Sequence, residues 1–463
     1  SKILAWALLL PMAIPAYIIA YTYTGLLDVA GPLQMLLRES FVWQYGDYWF
    51  PEVRSLGGAI CMLALVLYPY VYLLSRAAFI EQSLCVLEVS RSLGCGPYRS
   101  FFTVALPLAR PAIIAGLSLV MMETLADYGT VQYFGVATFT TGIFRTWFGL
   151  GSSVAAAQLA VVLLMFILLA VVLEGWSRRQ ARYHHTSNRY SKLIQRPLHG
   201  WPMLLAMGIC FFPVVFGFVV PAAQLSVWAL QTWREVIDES FYALVGHSIE
   251  LAAIASAVAL ILSLFITYGK RLLSNPVTRF IVRFLSMGYA IPGTVIAIGV
   301  LIPLAWLDNS IDSWMRTNMD LSTGLLFSGT IFALVFAYLV RFLPVSLNTI
   351  EAGLTKIRPA MDEVGRSLGS SSTRILRRVH IPMLKGSILT AALLVFVDVL
   401  KELPATLILR PFNFNTLAIR CYELANEERL ADAANPALAI VLVGIIPVII
   451  LSRSISRSRP GYD

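Results

Sequence analysis

Two pairs of carboxylates stand inside strongly apolar runs: Glu123 with Asp127, and Asp398 with Glu402. The members of each pair are four residues apart, a spacing that puts both on one face of an α-helix. A charged group inside a bilayer costs roughly 2.5–3.5 kcal/mol on insertion scales, so such groups usually face a bundle interior or a water-filled cavity. Carboxylate oxygens suit hard cations. Four of them along one path would be transient ligands for a highly charged metal ion. A blander reading stands beside this one. Counting from Pro107 at roughly 1.5 Å per residue puts the carboxylates in the outer half of their helices, where Lys401, Arg410, Arg145 or Arg420 would pair with them.

The second pair follows the first by 275 residues, and that offset is not confined to it. EVSRSLG from Glu88 returns as EVGRSLG from Glu363, and each copy reaches a Pro, Pro107 or Pro382, thirteen positions after its Gly. Nine of the twenty residues from Glu88 to Pro107 are identical at this offset, among them Arg91 with Arg366 and Gly94 with Gly369. Pro69 and Pro344, Thr141 and Thr416, and Arg145 and Arg420 also match. AlaIlePro at 13–15 returns at 290–292. The chain therefore carries one unit twice, in one orientation, which predicts a tandem parallel repeat about an axis along the membrane normal.

The elements that position these residues are membrane helices. The 463 residues are 58% hydrophobic and 13% charged, with a mean hydropathy of +0.75, far too apolar for a soluble multidomain protein. Runs of about the ~20 residues that cross a bilayer begin near residues 3, 55, 109, 153, 202, 246, 280, 322, 385 and 436. The fold expected is all-α and polytopic, with about ten transmembrane helices. The first repeat (1–176) has four spans, the second (201–463) has six, and a basic linker (177–200) joins them. By that count the first repeat is N-terminally incomplete, lacking about two helices.

The net charge of +9 resides in short connections beside apolar runs, which argues for a membrane and against nucleic acid. The positive-inside rule places the linker, both copies of the repeated motif and the C-terminus in the cytoplasm. The five cysteines have no CxxC spacing, so neither a disulfide framework nor a thiolate site is indicated. His184, His185 and His199 lie in or beside the basic linker without a defined ligand geometry.

Each repeated motif reads as a helix led by Glu88 or Glu363, a Gly that lets the chain turn, a basic segment, and a Pro that opens the next span. With those residues in place, the chain resembles the permease subunits of binding-protein-dependent ABC importers. Their signature is Glu-Ala-Ala, three residues, Gly, nine residues, Ile, one residue, Leu-Pro. This chain keeps Glu88, Gly94, Leu106 and Pro107, and Glu363, Gly369 and Pro382, with Val89-Ser90 and Val364-Gly365 in place of Ala-Ala. The stretches from Met121 and from Asp398 resemble the fused, double-length permeases of ferric-iron ABC importers.

The resemblance implies a type I importer permease (MetI-like) fold in the bacterial inner membrane. Its two loops, with Glu88, Arg91, Gly94, Pro107, Glu363, Arg366, Gly369 and Pro382, would dock two copies of an ATPase subunit. A periplasmic binding protein would deliver Fe(III), and Glu123, Asp127, Asp398 and Glu402 would line its path. The chain has no GxxxxGK followed by Ser or Thr, so ATP and Mg would reside on the partner. No cofactor and no catalytic residue is expected in this chain. Import of thiamine or another small solute is the alternative within the class; an ion-coupled secondary transporter is the alternative outside it.

Overall fold

A computed structural model of the chain describes residues 2–81, 90, 92–179, 199–273 and 275–457. Glu88 and Arg91, most of the linker including His184 and His185, and the last six residues lie outside that set. Every regular element among the described residues is helical. Eight helices are long and apolar enough to cross a membrane, and the number rises to ten if each of two bent helix pairs counts as one span. The ten spans expected from hydropathy are met in this form. Lipid-facing backbone must satisfy its own hydrogen bonds, which leaves helices as the solution for runs of this length.

The described residues fall into two compact units, each assembled from separated stretches of chain. The first draws on residues 1–136, 164–227 and 448–463. It contains α1 (Ala16–Leu27), α2 (Leu56–Glu81), α3 (Leu106–Ala126) and the short α4 (Gly129–Tyr133). Helix α1 is buried along Tyr17–Thr24 on all sides, and Tyr23 donates to the Phe216 carbonyl. Helices α2 and α3 pack against each other at a point where Gly116 faces the α2 backbone. A Cβ on Gly116 would lie 2.7 Å from Val71 Cα. Backbone cannot yield as a side-chain tip does, so Gly116→Val is expected to cost about 1–3 kcal/mol by overpacking. Thermal unfolding in detergent checks this; an unchanged midpoint would show that the crossing is loose.

The second unit draws on residues 137–163 and 228–447. Its centre is a three-helix cluster of α5 (Glu239–Leu272), α7 (Ile331–Leu354) and α9 (Lys385–Leu400), with α6 (Gly293–Met319) against α7. The short α8 (Ala360–Ser367) precedes α9, and α10 (Pro404–Leu409) follows it and packs on α6. The buried stripe of α5 is mostly small residues, Ser248, Ala252, Ala255, Ser256, Ala259, Ser263 and Thr267, with Leu251 and Tyr268 beside them. Small residues let helix backbones approach where lipid supplies no hydrophobic drive. Ser256 Oγ accordingly donates to the Ala392 carbonyl at 2.8 Å.

Both units repeat the same local devices. AlaIlePro makes a 3-10 turn, an extended Ile (Ile14 at φ −96°, Ile291 at φ −84°) and a Pro that begins the next helix. The residue before Pro is driven out of the helical region, and in the first unit the helices on either side meet at 90°. A π-turn precedes each repeated Pro, Phe101–Ala105 before Pro107 and Leu376–His380 before Pro382. Pro107 stands in the first turn of α3, while Pro382 stands in the short helix Ile381–Met383 ahead of α9. The helix runs on from Pro97 to Ala126 in the first copy, while Ser372–Met383 bends by 76° into α9 in the second. The π-turn shifts the backbone ladder so that the missing Pro amide falls where helical bonding is already displaced.

Candidate functional site

The repeated carboxylates act first on their own backbone. Asp127 ends α3 and accepts from the Thr130 and Val131 amides at 3.0 and 3.1 Å and from Thr130 Oγ1 at 3.0 Å. Glu402 follows α9 and accepts from the Ala405 and Thr406 amides at 3.1 and 3.2 Å and from Thr406 Oγ1 at 3.0 Å. The acceptors and amides coincide at the 275-residue offset. Each carboxylate satisfies the first N–H groups of the short helix that follows its span, which α4 or α10 cannot satisfy internally.

The other members of the two pairs are placed differently. Asp398 pairs with Lys401 at 2.8 Å, one of the partners anticipated. Glu123 is partly exposed and makes no ion pair among the described residues. Arg410 and Arg420 turn to Glu423 instead. The cation that meets Glu402 is Arg341 of α7, Nη1 to Oε1 at 2.9 Å, beside a bond of 2.6 Å between Tyr338 Oη and Thr406 Oγ1. The only signal of Arg341 in the sequence is its place as an arginine in the middle of an apolar span. Gly293 opens α6 directly over this pair: a Cβ there would collide with Arg341 Nη1 and Glu402 Oε1.

The two repeated loops share a turn built to the same pattern. Gly94 has φ +80° and Gly369 φ +74°, with open space where a Cβ would be, so the backbone conformation alone calls for glycine. The Cys95 amide donates to the Ser90 carbonyl at 3.1 Å, and the Ser370 amide to the Gly365 carbonyl at 3.0 Å. This is the bonding that closes a helix past a left-handed residue. Just before each Gly an apolar side chain faces outward: Leu93 is 78% exposed and Leu368 79%. The same outward apolar side chain thus stands at the tip of the loop in both copies. The sequence contained this pair within its identical register, but burial had to be known before it meant anything. Arg366 lies in the last turn of α8.

Behind the second loop, Asp362 of α8 accepts from Arg271 Nη2 and from His380 Nε2, each at 2.6 Å. Burial raises the proton affinity of this carboxyl, but the bonds from Arg271 and then His380 outweigh it and hold the pKa below the usual carboxylate value. A depressed folded value means that its stabilisation is present above the unfolded carboxylate pKa and is lost only as pH falls through the lower folded one. Stability is therefore expected to lose this contribution at distinctly acid pH, and Asp362→Asn to remove that limb of the profile. Unfolding followed from neutral to acid pH checks this; an unaltered acid limb in the variant would contradict it.

Among the described residues no group of three or more His, Cys, Asp or Glu is gathered as a metal site. The matched features of the two copies are the carboxylates in and at the ends of their spans and the two loop tips.

Several curated proteins are similar to this chain over most of its length. The Fe(3+)-transport system permease protein FbpB 2 of Haemophilus influenzae is 25% identical over 451 residues, 96% of this chain and 81% of that protein. The ferric transport system permease protein FbpB of Actinobacillus pleuropneumoniae is 22% identical over 95% of this chain, which spans 64% of that protein's length. The putative 2-aminoethylphosphonate transport system permease protein PhnV of Salmonella typhimurium is 24% identical over 54% of this chain. The family model described as "binding-protein-dependent transport system inner membrane component" matches residues 1–183 and again 255–460. With one family match in each copy of the repeat, the chain belongs to the binding-protein-dependent transport system inner membrane components.

Proposed function

We propose that this chain is the membrane passage of an ATP-driven importer of ferric iron, with two ATPase subunits docked on its two loops. The carrying observation is the duplicated loop tip: the same left-handed Gly, the same closing bond and the same outward Leu occur twice. One chain with two such tips suits two identical partners. Glu88 and Glu363 lead the docking segments, Arg91 and Arg366 supply their charge, and Pro107 and Pro382 lead into the spans that move. The loops and the C-terminus face the cytoplasm, a periplasmic binding protein delivers the ion, and ATP with Mg is held by the partners. The repeats are assigned to residues 1–176 and 201–463, joined by 177–200.

Iron as cargo is supported by the names of the relatives and by the oxygen donors in the spans, since hard cations prefer such ligands. Glu123 and Asp398, whose carboxylates are not used in a helix cap, are assigned transient contact with the ion. Asp127 and Glu402, the other two path candidates, hold the turns beyond them from within their caps.

The test is uptake of ⁵⁵Fe(III) from its binding protein into vesicles holding the chain and its partners. Uptake is expected to need ATP, to stop with hydrolysis-dead ATPases, and to be indifferent to excess thiamine. Uptake that persists with dead ATPases would replace this reading with ion-coupled transport; displacement by thiamine would reassign the cargo.

A further inference from the structure

The second loop is tied down by a buried ionic cluster drawn from three separate elements. Asp362 of α8 is 6% exposed and His380, in the π-turn ahead of α9, is fully buried. Asp362 Oδ2 accepts from Arg271 Nε at 2.8 Å and Nη2 at 2.6 Å, and Oδ1 accepts from His380 Nε2 at 2.6 Å. Arg271 ends α5 and also donates to the carbonyls of Leu354 and Ile357 at 2.8 and 3.0 Å, just where α7 runs out. A cation there meets the negative end of the α7 dipole as well. Tyr268, one turn earlier on α5, places its ring 5.5 Å from the imidazole and donates from Oη to the Ser372 carbonyl at 2.7 Å.

The chemistry is that of a clamp. With a carboxylate as its partner, His380 Nε2 carries a hydrogen and donates it to Asp362. Every charged atom of Asp362 is met, so the cluster holds only while both donors are in place. Its effect is to join α8 to the ends of α5 and α7 and to the turn that starts α9. The positions matching Asp362 and His380 in the first copy are Leu87 and Ala105, neither of which forms ions.

We propose that Asp362 is a positioning residue that clamps the second loop to its membrane helices through Arg271 and His380, a pair that the sequence does not repeat in the first loop. Motion of a partner on the second loop would pass directly into α5 and α9. This rests on the docking role proposed for the loops.

The test uses the full chain in nanodiscs, first alone and then with its ATPases. His380→Leu and Asp362→Asn are expected to speed amide exchange in residues 360–367 about tenfold or more, since each leaves a buried polar partner unmet. Exchange around Gly94 is expected to stay unchanged. His380→Gln, whose side-chain amide can still donate to Asp362, is expected to return most of the protection, which a purely space-filling role would not allow. With ATPases and iron-loaded binding protein, iron moved per ATP is expected to fall several-fold in His380→Leu and to recover in the Gln variant. Unchanged exchange in both Asp362→Asn and His380→Leu, or equal loss in the Gln and Leu variants, would overturn the clamp. Faster exchange in residues 360–367 with an unaltered iron-to-ATP ratio would leave the clamp standing and overturn the docking role.

Discussion

Replacing Arg341 by Met should cost about 3–5 kcal/mol, because it strips the partner from a carboxylate that has nowhere to find another. Glu402 is 5% exposed and its Oε1 is bonded to Arg341. The bonds from Ala405 and Thr406 remain after the substitution, but no cation does. Arg341→Met with Glu402→Gln should be milder than Arg341→Met alone, since the orphaned charge goes with its partner. Gly293→Val should resemble Arg341→Met, because the new side chain occupies the space of the pair. Thermal unfolding of the single and double variants in detergent closes the cycle. Strict additivity would mean that Arg341 and Glu402 stabilise the unit independently, and the argument would fail.

Changing Leu93 and Leu368 together to Asp should abolish retention of the ATPase subunits while leaving the permease folded. Both side chains stand almost wholly clear of the protein, so their loss removes little internal packing. A buried apolar anchor at an interface is worth about 2 kcal/mol or more, and burying a charge instead adds to the loss. Each single variant should weaken co-purification about thirtyfold at its own loop, and the double variant should leave no measurable complex. Full retention in the double variant would sink the docking role of the tips. An unequal effect of the two single variants would show that the loops do not hold their partners alike.

The loops were the more legible part of the candidate site. Their Gly and Pro positions are local instructions, one for a left-handed residue and one for a missing amide, so two matched copies could be placed without knowing the fold. The carboxylates were legible as a repeat but not in their work. Spacing put Glu123 and Asp127 on one helical face, as it did Asp398 and Glu402; it did not show that the second member of each pair lies past the helix end and caps the next one. That difference follows from where the helices stop. At Asp127 the backbone has turned extended, and at Lys401 α9 has already ended.

By itself the sequence determined a polytopic helical membrane protein, its duplication at a constant offset, and the turn chemistry of both loops. These follow from hydropathy summed over spans and from backbone preferences that act within a few residues. Only the tertiary structure decided that Arg341 meets Glu402 across 61 residues, that Arg271 meets Asp362 across 91, and that Leu93 and Leu368 stay in the open. Partner choice of this kind depends on which helix faces pack together, and no local spacing encodes it.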